Sequence, residues 1–287
     1  MSKIGDSKDI SEELPDVKIP VWVMLKGRDL YLNVKDPFPS NGRLSTNILC
    51  NLEMGLLLPS DRKGIHVSRI EDKVFKLSSG NYETLKEFYK KLVEEIIKSQ
   101  PAESSKVIVN GIFLRTIKTP QSKIETHQRI MMKYASTLTG GEKENELEIR
   151  LPVFIACPSC MRTLQSFDEA VGYATHSQKA YVGINISSKD SIPTPEELVG
   201  SIEKVSTVLA HLLKRSDEGH IVLEALKKPQ YVEDLSRELI GSIYRNYADK
   251  INGDAKITVT VDSQESIHPH DIGARISARM KDIAHLM

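Results

Sequence analysis

Apolar residues recur along the chain with two periods, and the places where the period changes mark the elements. Residues 18–34 hold an apolar run, then GRD, then LYLNV, and Arg43–Leu58 (RLSTNILCNLEMGLLL) alternates in part without proline, so both read as strands. PSDRKGIHVSR, with Pro59 and Gly64, reads as a polar loop. Leu85, Phe88, Tyr89, Leu92, Val93, Ile96 and Ile97 follow the i, i+3, i+4, i+7 spacing of an amphipathic helix, and Asn81 is its expected N-cap. SKVIVNGIFLRTI and IETHQRIMMKYASTL then predict a hairpin of two long strands joined across Pro120.

TGGEKENE, residues 139–146, carries two glycines and a charge run and marks a hairpin turn or a domain boundary. The order of elements then repeats. ELEIRLPVFIA and KAYVGINIS predict strands. A helix is expected over 196–213 with Leu198, Ile202, Val205, Leu209 and Leu212 on one face. Another is expected over 230–248 with Tyr231, Leu235, Leu239, Ile243 and Tyr244 on its face. KITVTVDS is a strand, and ARISARMKDIAHLM is either a helix or a strand passing into one. The expected fold is α+β: a lead-in over 1–17, then one β–β–α–β–β unit over 18–140 and a second over 141–287. Each unit is an antiparallel sheet with helices on one face. Open edges and a bare face predict closure by self-association.

Composition narrows the function. The 39 basic residues balance the 39 acidic ones, so no global excess points to nucleic acid or an anionic membrane. No apolar run reaches the roughly 18 to 20 residues that span a bilayer. The first residues, MSKIGDSKDISEELPD, are polar and acidic without the apolar core of a signal peptide, so a disordered lead-in and a cytoplasmic protein are expected. Cys50, Cys157 and Cys160 are too few for a disulfide scaffold and are expected to be reduced, with Cys50 in the core.

Four segments hold most of the reactive side chains: KGIHVSR (63–69), CPSC (157–160) with GYATHSQKA (172–180), KRSDEGHIVLEALKKPQYVED (214–234) and ESIHPHD (265–271). C-P-S-C has no second C-x-x-C, which excludes a zinc held by four thiolates of one chain. A redox dithiol remains an alternative. His176, His268 and His270 each read alone as surface residues, yet a Cys, several His and a Glu at strand ends form a donor set suited to zinc or ferrous iron. Glu218 is expected to follow a helix that ends at KRSD. Glu233, expected in a first helical turn after Pro229, has a purely structural explanation in the helix dipole, as does Asp234. Lys63, Arg69, Lys214 and Arg215 read equally as solvated charges.

These segments, in order over residues 40–275, resemble GTP cyclohydrolase type IB, especially its archaeal members. LLLPSDRKGIHVSR is similar to the family's LP-x-x-x-KG-x-H-M-SR with Val67 at the Met position. LLKRSDEGHIVLEALKKPQYVED is similar to LLKR-x-DE…E…NP-x-FVED with Lys228 and Tyr231 for Asn and Phe. ESIHPHD is similar to ESIH-x-HD, and CPSC with THSQKA to CPC with (A/T)HNQR. The resemblance implies tunnelling-fold (T-fold) units assembled into an oligomeric barrel, a homotetramer built as a dimer of dimers, and GTP as substrate. It implies that Cys157, His176, Glu218 and His268 hold a divalent transition metal, Fe(II) foremost, with Zn(II) or Mn(II) as alternatives. Cys157 and His270 are then catalytic, Glu233 reads the guanine edge, and His66 and Arg69 lie near substrate. The implied reaction opens the guanine ring with loss of formate, giving a dihydroneopterin, as the 2′,3′-cyclic phosphate in archaeal members. The second thiol, moved to Cys160, departs from the pattern, as does HSQK for HNQR. The alternative is another T-fold enzyme acting on a pterin or deazapurine through Cys157.

Overall fold

A computed structural model describes residues 10–35, 46–100, 102–211 and 214–286. The chain divides into two compact units. One comprises Met1–Lys35, Ser45–Asn110 and Tyr134–Glu144, and the other Asp36–Leu44, Gly111–Lys133 and Asn145–Met287. Three long strands, β4 (Ser104–Lys118), β5 (Glu125–Thr139) and β6 (Glu142–Ala156), contribute residues to both. The Gly140–Gly141 turn expected as a hairpin or boundary joins β5 to β6 inside the first unit, with φ of 56° and 85°, values that glycine adopts without a Cβ clash.

In the first unit β1 (Val21–Val34) pairs antiparallel with β2 (Thr46–Leu58), with a bulge between Leu25 and Arg28 where Gly27 takes φ 74°. The hydrogen-bonded order runs β4, β2, β1 and then the two-residue β3 (Asn81–Tyr82), parallel to β1. Ile48, Cys50, Leu52, Met54, Leu56 and Leu58 alternate into the core, as a half-buried strand requires. Helices α1 (Val67–Ser78) and α2 (Leu85–Ser99) pack on each other. HVSR, expected in a loop, starts α1, which buries Ile70 and Val74 on one face. The N-cap of α2 is Thr84, whose hydroxyl accepts from Glu87 N at 3.1 Å, while Asn81 sits in β3. Cys50 is buried as expected; burial first, and then Asp29, pushes its thiol up to about 12.

In the second unit the order is β10 (Ile272–Arg279), β9 (Lys256–Ser263), β7 (Ser177–Ser188), β6, β5, β4, with neighbours β10 to β6 antiparallel. Leu147, Ile149, Leu151, Val153 and Ile155 of β6, and Ala180, Val182, Ile184 and Ile186 of β7, turn inward. Helix α6 (Val232–Tyr247) packs on β9 and β10 through buried Leu235, Leu239 and Ile243; Tyr231, expected on that face, is instead its exposed N-cap. The helix expected over 196–213 stops early: α4 spans Pro195–Glu203, and Thr207–Val208 form a short strand, β8, against Phe154 and Val153 of β6. Pairing with a sheet there outweighs helical periodicity. Leu212 lies outside the described residues. Two more helices, α3 (Pro158–Phe167) and α5 (Arg215–Lys227), were not foreseen, so Glu218 lies in the first turn of a helix rather than after one. The terminal segment is a strand, β10, passing into α7 (Met280–Ile283).

The lead-in expected to be disordered lies outside the described residues up to residue 9, but Ile10–Glu12 form a 3-10 turn. Among the described residues no helix is long and apolar enough to cross a membrane.

Candidate active site

Antiparallel register brings the reactive segments of the second unit together. Ala156, the last residue of β6, stands opposite Ser177, the first of β7. Ala180 of β7 stands opposite Ser263, the last residue of β9. The ends that carry Cys157, His176 and the loop 264–271 therefore lie side by side at one edge of the sheet. The strand ends are knitted there: Cys157 N donates to His176 O at 3.1 Å, Thr175 Oγ1 to Cys157 O at 2.8 Å, and Gln264 N to Lys179 O at 2.9 Å.

Cys157 is the N-cap of α3, which begins with Pro158, a residue suited to the first helical turn because its missing N–H would have no partner there. Its Sγ accepts from Cys160 N at 3.5 Å. Cys160 thus meets Cys157 through its backbone. His176 Nδ1 lies 3.0 Å from Gln178 Oε1 and 3.3 Å from Ser266 Oγ. The His176 and His268 rings meet edge to face with centroids 6.2 Å apart, and His268 stacks on His270 at 5.5 Å. His268 and His270 are exposed, and Cys157, Cys160 and His176 are half-buried.

The start of α6 joins the same edge, because Gln230 N donates to Ala156 O at 3.1 Å. Gln230 Nε2 in turn donates to Glu238 Oε2 at 2.6 Å, which ties the loop to the first turns of α6. Glu233 is exposed in that first turn, as the sequence suggested, three residues beyond the bond to the strand that ends at Cys157.

Glu218 is exposed in the first turn of α5 and has no hydrogen bond to this cluster among the described residues. Its neighbour Asp217 is fully buried and accepts from Gln121 N (2.8 Å), Ser122 N (3.0 Å), Ser122 Oγ and Lys214 N (3.3 Å). Burial alone would raise its pKa, but these hydrogen bonds outweigh it and hold the carboxyl well below the usual range. Asp217 thereby fastens the β4–β5 turn to the start of α5. A lone Asp inside a charged run gave no signal of this.

A thiol and two imidazoles are the donor types that bind zinc or ferrous iron, so the chemistry of Cys157, His176 and His268 fits such an ion. As placed, no three His, Cys, Asp or Glu side chains among the described residues form a group that closes on a metal.

The remaining two candidates belong to the first unit. His66, the N-cap of α1, is only 8% exposed. Its Nδ1 lies 3.2 Å from Ser11 Oγ and its Nε2 3.6 Å from Glu12 Oε1. Gln100 brackets its backbone, accepting from His66 N at 2.9 Å and donating to His66 O at 3.0 Å. Lys63 N and Gly64 N both donate to Ser11 O at 3.2 Å, and Lys63 Nζ pairs with Glu13 at 3.5 Å. Arg69 is exposed in the first turn of α1.

The profile of the family described as type I GTP cyclohydrolase folE2 matches residues 8–274. The chain is 26% identical to GTP cyclohydrolase MptA of Methanospirillum hungatei over 96% of this chain and 92% of that one. It is 26% identical to GTP cyclohydrolase MptA of Korarchaeum cryptofilum over 96% and 94%. It is 27% identical to GTP cyclohydrolase FolE2 of Paraburkholderia xenovorans over 76% of each. Among solved structures, uricase from Arthrobacter globiformis superposes with a TM-score of 0.56 over 92% of this chain and 96% of that one at 10% identity, a likeness of fold alone.

Proposed function

We propose that this chain, which belongs to the type I GTP cyclohydrolase folE2 family and is an enzyme acting on GTP, is a metal-dependent GTP cyclohydrolase whose reaction runs at the strand-end cluster of the second unit. The observation that carries this reading is the convergence of Cys157, His176, His268 and His270 beside the start of α6. Cys157, His176 and His268 would hold the metal, with Glu218 of α5 as the fourth ligand. A divalent transition metal, Fe(II) foremost and Zn(II) or Mn(II) as alternatives, would lower the pKa of water toward neutrality, making hydroxide available to attack C8 of guanine.

The chain's own residues do the rest. Glu233 accepts two parallel hydrogen bonds, from N1–H and the 2-amino group of guanine. Adenine offers no such pair and would leave the carboxylate unmatched. His270 gives a proton to the imidazole-ring nitrogen whose bond to C8 breaks as the ring opens to a formamide; a second water then cleaves the remaining C8–N bond, and formate leaves as that nitrogen takes up a proton. The exposed ring of His270, held against His268, suits a group that must meet both substrate and solvent. Of the pair expected near the triphosphate, exposed Arg69 would contact it, and buried His66 would hold the segment that presents Arg69. The product is a dihydroneopterin 2′,3′-cyclic phosphate for tetrahydromethanopterin-type cofactors, the form that the resemblance to archaeal members implies. Residues 18–140 and 141–287 are T-fold repeats, and the open edge at β10 is paired in a cytoplasmic homotetramer.

Metal-stripped protein is incubated anaerobically with GTP and resupplied in parallel with Fe(II), Mn(II), Zn(II) or Mg(II), and formate and pterin fluorescence are read. Turnover restored by a transition metal is expected; no formate with any metal overturns the metal-dependent reading. Mass spectrometry of the product separates the cyclic phosphate from a retained triphosphate.

A further inference from the structure

Gln178, the second residue of β7, is only 8% exposed, and its side-chain amide stands between two groups of opposite demand. On one side its Nε2 donates to Glu265 Oε1 at 3.0 Å. The same oxygen accepts from Ser263 Oγ at 2.7 Å, so the carboxylate is held from two directions. A carboxylate only accepts and an amide nitrogen only donates, so this bond fixes which way the amide faces. Its Oε1 is then the atom 3.0 Å from His176 Nδ1. A carbonyl oxygen only accepts, so Nδ1 must carry the hydrogen. Ser266 Oγ, 3.3 Å from the same nitrogen, is a second acceptor for it. In a neutral imidazole with hydrogen on Nδ1, the lone pair is on Nε2.

The sheet builds this chain of bonds. Ala180 of β7 lies opposite Ser263 of β9 in antiparallel register, so Gln178, two residues before the one, lies level with Glu265, two residues after the other. Glu265 N donates to Asp271 Oδ1 at 3.1 Å, closing the base of the loop that carries His268 and His270.

We propose that Glu265 and Gln178 are positioning residues that hold His176 as its Nδ1–H tautomer, leaving Nε2 as an electron-pair donor to a divalent metal cation. The metal part rests on the function proposed above; the tautomer part does not. Neither residue touches substrate. Partners of this kind, bonded to the far nitrogen of a ligand histidine, change metal affinity by about 10–100-fold when removed.

The test begins on metal-stripped protein with 15N-labelled histidine, above the ordinary imidazole pKa of about 6.5. The NMR pattern of His176, assigned by its loss in His176→Gln, reports which ring nitrogen is protonated. Wild-type protein is expected to show Nδ1–H; Gln178→Ala and Glu265→Ala are expected to show a mixture. Calorimetric titration with Zn(II) alone should show binding weakened about 10–100-fold in Gln178→Ala and in the same direction in Glu265→Ala. Glu265→Gln keeps an oxygen that accepts from Gln178 and should retain the wild-type tautomer and affinity. Because Gln178 is buried, Glu265→Ala decides the matter if Gln178→Ala does not fold. A wild-type ring protonated on Nε2, or alanine variants with unchanged tautomer and unchanged Zn(II) affinity, overturns the proposal. An Nδ1–H ring in wild-type protein that releases no formate from GTP would instead sink the reading of the site while the bond chain stands.

Discussion

Two histidine-bearing segments, one in each unit, solve opposite problems. At the start of α1, His66 is nearly sealed: each ring nitrogen faces an oxygen of the lead-in, and Gln100 brackets its backbone. In the loop after β9, His268 and His270 are exposed and present ring faces to each other and to His176. Both segments sit in motifs that resemble the same family, yet only the second leaves imidazole surface open to another molecule. A motif selects residues; burial and hydrogen bonding decide which of them fold the protein and which remain available for chemistry.

The sharpest way to break this contrast is Cys157→Ala. Cys157 is half-buried and caps α3 with one long sulfur contact, so the fold should survive, with Tm changed little. Formate release from GTP should fall by more than about 100-fold, beyond what loss of a mere supporting partner produces. Retained turnover would remove the cluster from the reaction. Glu233→Ala comes next. It should raise KM for GTP by about 10–100-fold, the equivalent of about 1–3 kcal/mol for a charged acceptor lost from a specific pair, with metal content intact. Loss of metal instead would exchange the roles assigned to Glu233 and Glu218. Third, the histidines themselves should separate in urea unfolding. His66→Ala should cost about 1–3 kcal/mol, since it removes a buried ring together with its contacts to Ser11 and Glu12 and leaves a void, whereas His268→Ala should stay within about 0.5 kcal/mol. The reverse ranking would dissolve the contrast.

What the sequence made legible follows the same line. Strands with one buried face, such as Leu147 to Ile155, announced themselves by strict alternation, and α2 and α6 by their wide apolar stripes. Two other helices did not: α1 opens inside a segment that Pro59 and Gly64 made read as a loop, and α5 has a weak apolar face that buries Asp217, Ile221 and Ala225. The segment at Thr207–Val208 left the helical pattern because a partner on β6, distant in sequence, was available. For the site, the candidates were readable as types and motifs, but their meeting was not, because it depends on register: Ala156 opposite Ser177 and Ala180 opposite Ser263. Gln178 and Glu265 stood inside the quoted blocks without a role, since an amide and a carboxylate acquire one only when each is seen to face the other.

Asp217 and Glu218 repeat the contrast between neighbours, with the smallest effect of the series. Asp217 is sealed and saturated by the β4–β5 turn, and Glu218 is exposed. Asp217→Asn keeps one oxygen for Gln121 N and Ser122 N but sets an amide nitrogen against Lys214 N–H, so Tm should fall by a few degrees near neutral pH; Glu218→Gln should leave it unchanged. The pH dependence has a definite sign. Hydrogen bonds hold the folded carboxyl below its ordinary value, so its contribution is complete above about pH 3.9, the value for an unfolded Asp, and is lost as pH falls further. The Tm gap between wild type and Asp217→Asn should therefore be constant from neutral pH down to about 5 and close below about 3.9. A gap that instead widens on acidification would mean that the carboxyl is held protonated in the folded chain, and that the turn is fastened by a neutral acid rather than a carboxylate.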